Sequence, residues 1–268
     1  MTEHLLRHIE DGVMTLTFNR PEKKNAITDE MYGELADALR SAAGDDAVRV
    51  VLLLAMGDSF TAGNDLASFA RQSEGPRRDT SAPSHVERFI KAIGSAGKPI
   101  VAGVKGQAVG VGLTMLLHCD LVYVANDAKL SAPFVSLALV PEAASSLLLV
   151  SRLGHVRAFS IFAGGEVVGG KNAADWGLAN QALPADEVDN AARAGAKRLA
   201  GQPAEALAIT KRLMRDSEGI ANRIDLELGH FATRLTSPEA REAFRAFAER
   251  RRPDFAKAEA ESAWDRTG

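Results

Sequence analysis

The sequence contains a single cysteine, Cys119, among 268 residues. One thiol cannot form a disulfide within the chain, and it cannot supply the clustered thiolates of a cysteine-rich metal site. We therefore expect no metal ion, and the near absence of cysteine fits the reducing environment of the cytoplasm, which is the location we predict.

Long apolar runs and an excess of positive charge are also missing. No stretch is long enough to span a bilayer, and the first residues are polar, with no apolar segment behind a basic start. The formal net charge is −3, which gives no sign of the basic surface that nucleic-acid binding requires. We expect no secretion, no membrane insertion and no nucleic-acid partner.

The composition is that of a large globular protein. Apolar residues make up 46% of the chain, which is enough for one sizeable domain or a domain with an appendage. Strand-like and helix-like stretches alternate, and Thr28 has the position of a helix N-cap. The strand-like stretches span residues 13–18, 48–55, 100–104 and 121–125. This alternating order predicts an α/β fold.

The C-terminal part has a different pattern. Beyond Pro184 the strand signals stop and the sequence predicts helices. An apolar stripe from Ile220 to Leu235 is broader than a lone surface helix needs, and it favours packing on another subunit. Earlier in the chain, the polar segment 74–84 is rich in turn-forming residues and predicts a mobile loop, a candidate lid.

Two glycine-containing turns are the first candidate for chemistry. Phe60–Leu66 and Gly106–Gly112 each follow a strand-like run and precede a helix-like run. Small residues let a ligand approach the backbone, and amides at a helix start carry the positive end of the peptide dipole. We predict that the amides of Ala62 and Val111 form an oxyanion hole for an enolate. Two ordinary strand-to-helix turns remain the alternative at this level.

Four motifs together resemble the crotonase superfamily, the enoyl-CoA hydratase and isomerase group. They are Asn19–Ala26, Phe60–Leu66, Gly106–Gly112 and the pair Cys119-Asp120, and the resemblance continues through Ala173–Leu178 to the C-terminal helices. It implies a crotonase, or ClpP-like, spiral of ββα units followed by a helical trimerisation region. The implied catalytic domain covers residues 1–200, and the implied oligomerisation region covers residues 201–268.

The resemblance also implies the ligand and the binding site. The substrate would be an acyl-CoA thioester, with no cofactor besides the CoA that belongs to it, and the assembly a homotrimer or a dimer of trimers. In the family, the amides at the positions of Ala62 and Val111 hold the thioester oxygen. The implied substrate-binding residues are Lys24, Ala26, Ala62, Gly63, Asn64, Asp65, Leu66, Gly110, Val111, Thr114, Phe134 and Leu137.

The sequence departs from the hydratases of this family at the residues that handle water. Their two glutamates align with Thr114 and Phe134, and neither residue is a carboxylate. Hydration needs a group that orients and deprotonates water together with a proton source, so ordinary hydration is disfavoured. The Pro141-Glu142 pair instead resembles the peroxisomal-type Δ3,Δ2-enoyl-CoA isomerases, in which this carboxylate is the catalytic base.

Isomerisation is consistent with one carboxylate. Glu142 would take a proton from C2 of a 3-enoyl thioester and return it at C4, and burial among apolar side chains would raise its pKa. The alternative is that Glu142 only interacts with a helix dipole. A hydratase with altered water handling, a hydrolase or ring-modifying enzyme, and a non-catalytic acyl-CoA-binding paralogue also remain open.

Other polar residues carry weaker hypotheses. Asp65 is a candidate second acid, although a helix-capping role is favoured. Arg20, Lys23 and Lys24 either contact CoA phosphates or are solvated surface charges. His118 and Cys119 are adjacent, and adjacent helix residues do not face each other, so we reject them as a nucleophile pair.

Overall fold

The computed structural model describes residues 2–65 and 82–258. The strands are β1 (Leu5–Glu10), β2 (Val13–Phe18), β3 (Val50–Ala55), β4 (Ile100–Val104), β5 (Gln107–Val109), β6 (Leu121–Ala125), β7 (Lys129–Ser131), β8 (Val168–Gly169) and β9 (Gln181–Leu183). The helices are α1 (Asp29–Gly44), α2 (His85–Gly94), α3 (Val111–Thr114), α4 (Ser145–Leu153), α5 (His155–Phe162), α6 (Gly170–Asp175), α7 (Ala185–Ala200), α8 (Ala204–Leu213), α9 (Ser217–Leu235) and α10 (Pro238–Ala248). Short 3₁₀ helices span Pro21–Lys23, Met115–His118 and Val135–Leu137.

Two sheets organise the described part of the chain. The larger sheet has the strand order β1-β2-β3-β4-β6-β9, with β1 antiparallel to β2 and the other neighbours parallel. The smaller sheet has the order β5-β7-β8. Because β5 directly follows β4 in the chain, the chain passes from one sheet to the other between Val104 and Gln107.

Aliphatic strands and amphipathic helices form the core. Every residue of β3 and β4 is buried, as expected for parallel strands covered on both faces. Helix α7 packs across β3, β4 and β6. Helix α1 begins after Thr28, whose side chain accepts a hydrogen bond from the Met31 N–H, and it packs on α2.

The predicted α/β class is confirmed, and so is most of the element order. Strands β2, β4 and β6 have the predicted bounds, whereas β3 begins at Val50 instead of Val48. The N–H of Val48 donates to the Asp45 carbonyl, so this residue belongs to the preceding turn. After β9 the described residues contain only helices, as the sequence predicted.

Several expectations lie outside what the structure tests. Leu66 and most of the predicted loop 74–84 fall outside the described residues. The boundary at residue 200 coincides with the end of α7, but the division into two domains stays a prediction. The oligomeric state also stays a prediction, although apolar side chains such as Val156, Leu213 and Met214 are strongly exposed.

Residues 2–65 and 82–258 contain neither a candidate membrane span nor a candidate metal site. None of the described helices combines the length and the apolar character needed to cross a bilayer. Within the same residues, no group of three or more histidine, cysteine, aspartate and glutamate side chains is arranged to hold a metal ion.

Candidate active site

The buried residue Asn25 holds the first glycine-containing turn in place through hydrogen bonds. Its side chain is fully buried, and its Nδ2 donates to the carbonyls of Met56 and Ser59 at 2.9 and 2.7 Å. Its Oδ1 accepts the Arg20 N–H, and its carbonyl accepts the Thr61 hydroxyl. Asn25 is therefore a structural determinant of the site that the sequence analysis missed. The residue type was the only sequence signal for this role, because asparagine tolerates the left-handed backbone conformation that Asn25 adopts (φ 54°).

The amide of Ala62 is already used inside the protein. It donates to the Lys24 carbonyl at 2.9 Å, and the neighbouring Gly63 N–H donates to the Thr61 hydroxyl at 3.0 Å. A hydrogen held by a backbone carbonyl does not point at a ligand. The prediction that Ala62 supplies an oxyanion donor is therefore wrong for this structure.

The next amide in the turn is free. Asn64 forms a parallel bridge with Ile27, in which the Ile27 N–H donates to the Gly63 carbonyl and the Asp65 N–H donates to the Ile27 carbonyl. Asn64 is the residue between these two bonds, so its own N–H faces away from the bridge. No acceptor for it lies among the described residues.

The second turn exposes the amide of Val111. Val111 is the first residue of α3, where a backbone N–H has no partner within the helix. The flanking groups are satisfied, since the Gly110 N–H donates to the Ser131 carbonyl and the Leu113 N–H donates to the Gly110 carbonyl. Within the described part of the chain, the Val111 N–H has no acceptor, in agreement with the predicted donor.

Close backbone approach brings the two turns together. Thr61 and Ala108 form a parallel bridge between them. A Cβ on Gly63, which has φ +86°, would lie 2.6 Å from the Val109 carbonyl oxygen, and a Cβ on Gly112 would lie 2.6 Å from the Thr61 side chain. Only glycine permits this spacing at both positions, so the sequence allows the turns to meet.

Glu142 lies buried in the turn before α4. Its side chain is 5% exposed, and Oε1 accepts a hydrogen bond from the Thr114 hydroxyl at 2.5 Å. Oε2 has no hydrogen-bond partner among residues 2–65 and 82–258. Burial raises the pKa of this carboxyl to about 7, the Thr114 hydrogen bond opposes the rise, and the charge of Glu227 adds to it. The structure therefore joins two residues that the sequence placed in the site, Thr114 and Glu142.

His118 holds the turn that carries Glu142. Ala143 and Ala144 both have positive φ, at 58° and 55°, a conformation that costs free energy outside glycine. The His118 Nε2 donates to the Ala143 carbonyl at 2.7 Å, and the Arg215 guanidinium donates to Nδ1 at 3.0 Å. Because both ring nitrogens are committed, His118 is neutral, and burial lowers its pKa to about 3.

Cys119 does not act with this histidine. Its Sγ contacts the Met115 carbonyl at 3.6 Å, and burial raises the pKa of the thiol to about 12. A thiolate is the reactive form of cysteine, so this side chain is inert. The expectation that His118 and Cys119 are not a nucleophile pair is confirmed.

Tyr32 links α1 to the site and was not identified from the sequence. It lies on the apolar face of the helix, and its hydroxyl donates to the Asn64 side-chain oxygen. Burial raises the pKa of this phenol, and the negative charges of Glu142 and Asp29 raise it further. Tyr32 thus stays protonated and can hold Asn64 by its side chain while the Asn64 N–H remains free.

An apolar cavity of about 520 Å³ opens beside these turns. Its lining residues are Ala62, Gly63, Asn64, Gln107, Val109, Gly110, Pro133, Phe134, Ser136, Leu137, Leu139, Phe231, Phe244, Phe247, Arg251 and Pro253. Three of its phenylalanines come from the C-terminal helices α9 and α10.

Part of the predicted binding set lines this cavity, and part does not. The lining members are Ala62, Gly63, Asn64, Gly110, Phe134 and Leu137. The residues Lys24, Ala26, Asp65, Val111, Thr114 and Glu142 are not among the lining residues. Helix α3 follows Gly110 of the lining directly and carries Thr114, which holds the buried carboxyl.

Asp65 is an ion-pair partner and not a free acid. Its Oδ2 lies 2.8 Å from the Arg20 Nη1, and the same guanidinium donates to the Ala26 carbonyl at 3.1 Å. Arg20 therefore ties the segment before α1 to the end of the first turn. The charges of Arg20 and Asp65 therefore have a structural role.

The chain matches the family model described as "Enoyl-CoA hydratase/isomerase" over residues 8–258. It is 34% identical to the 1,2-epoxyphenylacetyl-CoA isomerase of Escherichia coli (strain K12), covering 95% of this chain and 99% of that protein. It is also 34% identical to enoyl-CoA delta isomerase 2 of Rattus norvegicus, covering 78% of this chain and 54% of that protein.

A solved structure shows the same fold. The enoyl-CoA hydratase/isomerase from Pseudoalteromonas atlantica T6c superimposes with a TM-score of 0.87 at 40% identity, covering 94% of this chain and 99% of that chain. The matches thus include relatives named as isomerases and as hydratases. The chain belongs to the enoyl-CoA hydratase/isomerase family, has the crotonase fold with C-terminal helices, and is an acyl-CoA enzyme.

Proposed function

We propose that this protein is a Δ3,Δ2-enoyl-CoA isomerase with Glu142 as its base. The observation that carries the proposal is the state of this carboxyl: Thr114 holds one oxygen, and the other is buried with no hydrogen-bond partner in the described part of the chain. The described lining of the cavity contains no carboxylate. The site thus offers one acid–base group, which is what a proton shuttle needs and fewer than hydration uses.

The reaction can be written with this group alone. The Glu142 carboxylate removes a proton from C2 of a 3-enoyl thioester, and the C–H electrons form a dienolate with the negative charge on the thioester oxygen. The protonated Glu142 then delivers the proton to C4, and the double bond moves to C2–C3. No water enters and no group leaves, so atoms and charge balance.

Backbone amides would stabilise the negative charge on the dienolate oxygen. We assign the oxyanion contacts to the amides of Asn64 and Val111, since the Ala62 amide is bonded to Lys24. Donors aimed at a developing oxyanion are worth about 3 kcal/mol each in transition-state stabilisation. Thr114 lies in the same short helix as Val111 and bonds to Glu142, which supports a base close to the carbon next to the thioester carbonyl.

The pKa of Glu142 suits this role. A value of about 7 means that the carboxylate and the carboxylic acid are both populated near neutral pH. A group that must accept a proton at one carbon and return it at another needs both states. An exposed carboxyl with its ordinary pKa would be a weaker base toward C2.

A related isomerase with a ring-bearing acyl group is the second candidate. The cavity wall contains four phenylalanine rings, at positions 134, 231, 244 and 247. Aromatic walls favour a flat ring through offset and edge contacts. The Escherichia coli relative is named for an epoxide of phenylacetyl-CoA, and a ring-derived acyl-CoA would use the same oxyanion contacts.

A panel of thioesters tests the proposal. Linear 3-enoyl-CoA and 2-enoyl-CoA substrates of several lengths, and a ring-bearing acyl-CoA, are incubated with the protein, and the products are separated. We expect conversion of 3-enoyl-CoA to 2-enoyl-CoA. Rapid formation of 3-hydroxyacyl-CoA from 2-enoyl-CoA would instead show a hydratase, and turnover of the ring substrate alone would favour the second candidate.

One substitution tests the base. Glu142→Gln should abolish the isomerisation and preserve binding of a CoA thioester, because it removes the proton acceptor with almost no change in shape. Glu218→Gln, an identical change at an exposed position of α9, is the matched control and should keep full turnover. Unchanged turnover of Glu142→Gln would refute the assignment.

We further propose a homotrimer or a dimer of trimers located in the cytoplasm. The exposed apolar side chains of α5 and α8, including Val156, Phe159 and Leu213, are consistent with burial against other subunits. Sedimentation of the purified protein measures the assembly directly, and a monomer at micromolar concentration would contradict it.

A further inference from the structure

A second buried carboxylate, Glu227 of α9, lies behind the turn that carries Glu142. It is 5% exposed, and its Oε1 accepts a hydrogen bond from the Ser146 N–H at 2.9 Å. Ser146 belongs to the first turn of α4, and the Ser145 N–H donates to the Glu142 carbonyl at 3.0 Å. Glu227 therefore anchors the segment that begins at Glu142.

Unpartnered polar atoms cluster at this point. Among residues 2–65 and 82–258, four buried side-chain oxygens have no hydrogen-bond partner, and three of them are Glu142 Oε2, Ser145 Oγ and Glu227 Oε2. A buried oxygen without a partner costs free energy, so native structures rarely contain several in one place. Such a cluster points to function and not to packing.

The surrounding charges do not neutralise the pair. Arg223, one turn before Glu227, donates to the Ser146 hydroxyl at 3.3 Å and partly offsets the Glu227 charge. His118 and Tyr32 face the Glu142 turn from other elements, but both are neutral, as shown above. Thr114 contributes a hydroxyl without charge. Glu142 is therefore exposed to the negative charge of Glu227.

We propose that Glu227 is a positioning residue for the isomerase base: it fixes the start of α4 through the Ser146 amide and keeps a second negative charge behind Glu142. The proposal rests on the function assigned to Glu142 above. It gives α9 a part in the chemistry that no motif in the sequence indicates.

The physical effect has a definite sign. A negative charge near a carboxyl disfavours its ionisation. Glu227 therefore raises the pKa of Glu142 and makes its carboxylate a stronger base. Burial raises the pKa of Glu227, and the hydrogen bonds from Ser146 and the charge of Arg223 oppose that rise. In the proposal, the ionised Glu227 side chain acts on Glu142 as a fixed negative charge.

The test is a titration of the Glu142 side-chain carboxyl by carbon NMR, which requires no turnover. In Glu227→Gln, the titration should shift to lower pH by more than about half a unit, because the charge is removed while an oxygen remains to accept the Ser146 N–H. With a 3-enoyl thioester, kcat should change with pH in parallel, and KM should not change.

The matched control is Asp225→Asn on the same helix. It removes an equal charge from an exposed side chain that pairs with Lys91, so the Glu142 titration should stay where it is. If Glu227→Gln leaves the Glu142 titration unchanged, or if the control shifts it equally, the proposal is overturned.

A second variant covers the case in which Glu227→Gln does not fold. Arg223→Gln removes a partly exposed side chain and leaves Glu227 on the Ser146 amide. The Glu142 titration should then shift to higher pH, because the Glu227 charge loses its counter-charge. A shift to lower pH, or none, would contradict the role of Glu227.

The two hypotheses can fail separately. If Glu142→Gln keeps its isomerase activity while Glu227→Gln moves the Glu142 titration, the proposed base is wrong and the coupling is right. If Glu142→Gln is inactive while the titration does not respond to Glu227→Gln, the base is right and the coupling is wrong.

Discussion

The hydroxyl of Thr114 donates to Oε1 of Glu142 at 2.5 Å, while Oε2 of the same carboxyl has no partner among the residues that the structure describes. Thr114 is in α3, and Glu142 precedes α4, so the contact joins two turns 28 residues apart in the chain. One oxygen is thereby fixed and the other is left for a proton.

Replacing Thr114 by valine should leave less of the base ionised at neutral pH. The change keeps the shape of the side chain and removes the hydrogen bond, which favours the ionised carboxyl. We expect the pKa of Glu142 to rise and kcat at neutral pH to fall about tenfold, as for loss of a hydrogen bond to a charged group. Thr114→Ser keeps the hydroxyl and should retain most of the activity. Equal rates for the valine and serine variants would show that the hydroxyl has no part in catalysis.

The pH dependence of kcat/KM should report Glu142. The base must be ionised in the free enzyme, so kcat/KM for a 3-enoyl thioester should increase with pH and level off above the pKa of about 7. Rates measured from about pH 5 to pH 9 would define the curve. A rise centred near the ordinary glutamate pKa of 4.5 would mean that an exposed carboxyl is the base.

Removing the amide hydrogen of Val111 should impair catalysis without breaking α3. Proline is tolerated at the first residue of a helix, where the N–H has no partner within the helix. We expect Val111→Pro to lower kcat about 100-fold, which corresponds to about 3 kcal/mol of lost oxyanion stabilisation.

Val111→Ala is the control for that variant. It shortens the side chain and keeps the amide, so its kcat should stay near that of the unmodified protein. Circular dichroism and the thermal midpoint verify that the proline variant folds. If the proline and alanine variants have the same kcat, the oxyanion contact does not involve Val111.

The buried base should reduce stability at neutral and alkaline pH. The folded-state pKa of Glu142 is raised, so the unfolded chain releases this proton first as pH rises from about 4.5 through about 7. The free energy of unfolding therefore decreases over this window, and the difference between 4.5 and about 7 corresponds to at most about 3 kcal/mol.

Glu142→Gln removes that penalty. Relative to the unmodified protein, its free energy of unfolding should increase as pH rises from about 4.5 to about 8, by an amount approaching that limit. Urea denaturation at both pH values measures the change, and the comparison cancels other groups, such as His118, that titrate equally in the two proteins. A constant difference would show that Glu142 has an ordinary pKa in the folded state.

Much of the site could be predicted because it depends on local pattern. Strand and helix periodicity located β2, β4 and β6, and the glycine-containing turns identified the two segments that meet. Glu142 was identified because it stood in a recognisable pattern. The errors are also local in origin: the sequence shows that a turn has small residues but not which of its amides is already bonded, so Ala62 was chosen instead of Asn64.

The sequence by itself determined the α/β order, the family and the candidate base, because each depends on residue type and spacing along the chain. Only the tertiary structure decided that Lys24 takes the Ala62 hydrogen, that Tyr32 holds the Asn64 side chain, and that Glu227 reaches the start of α4. These contacts join residues between 32 and 81 positions apart. Hydrogen-bond direction and the charge around a buried group depend on how distant segments pack, and no periodicity in the chain encodes that packing.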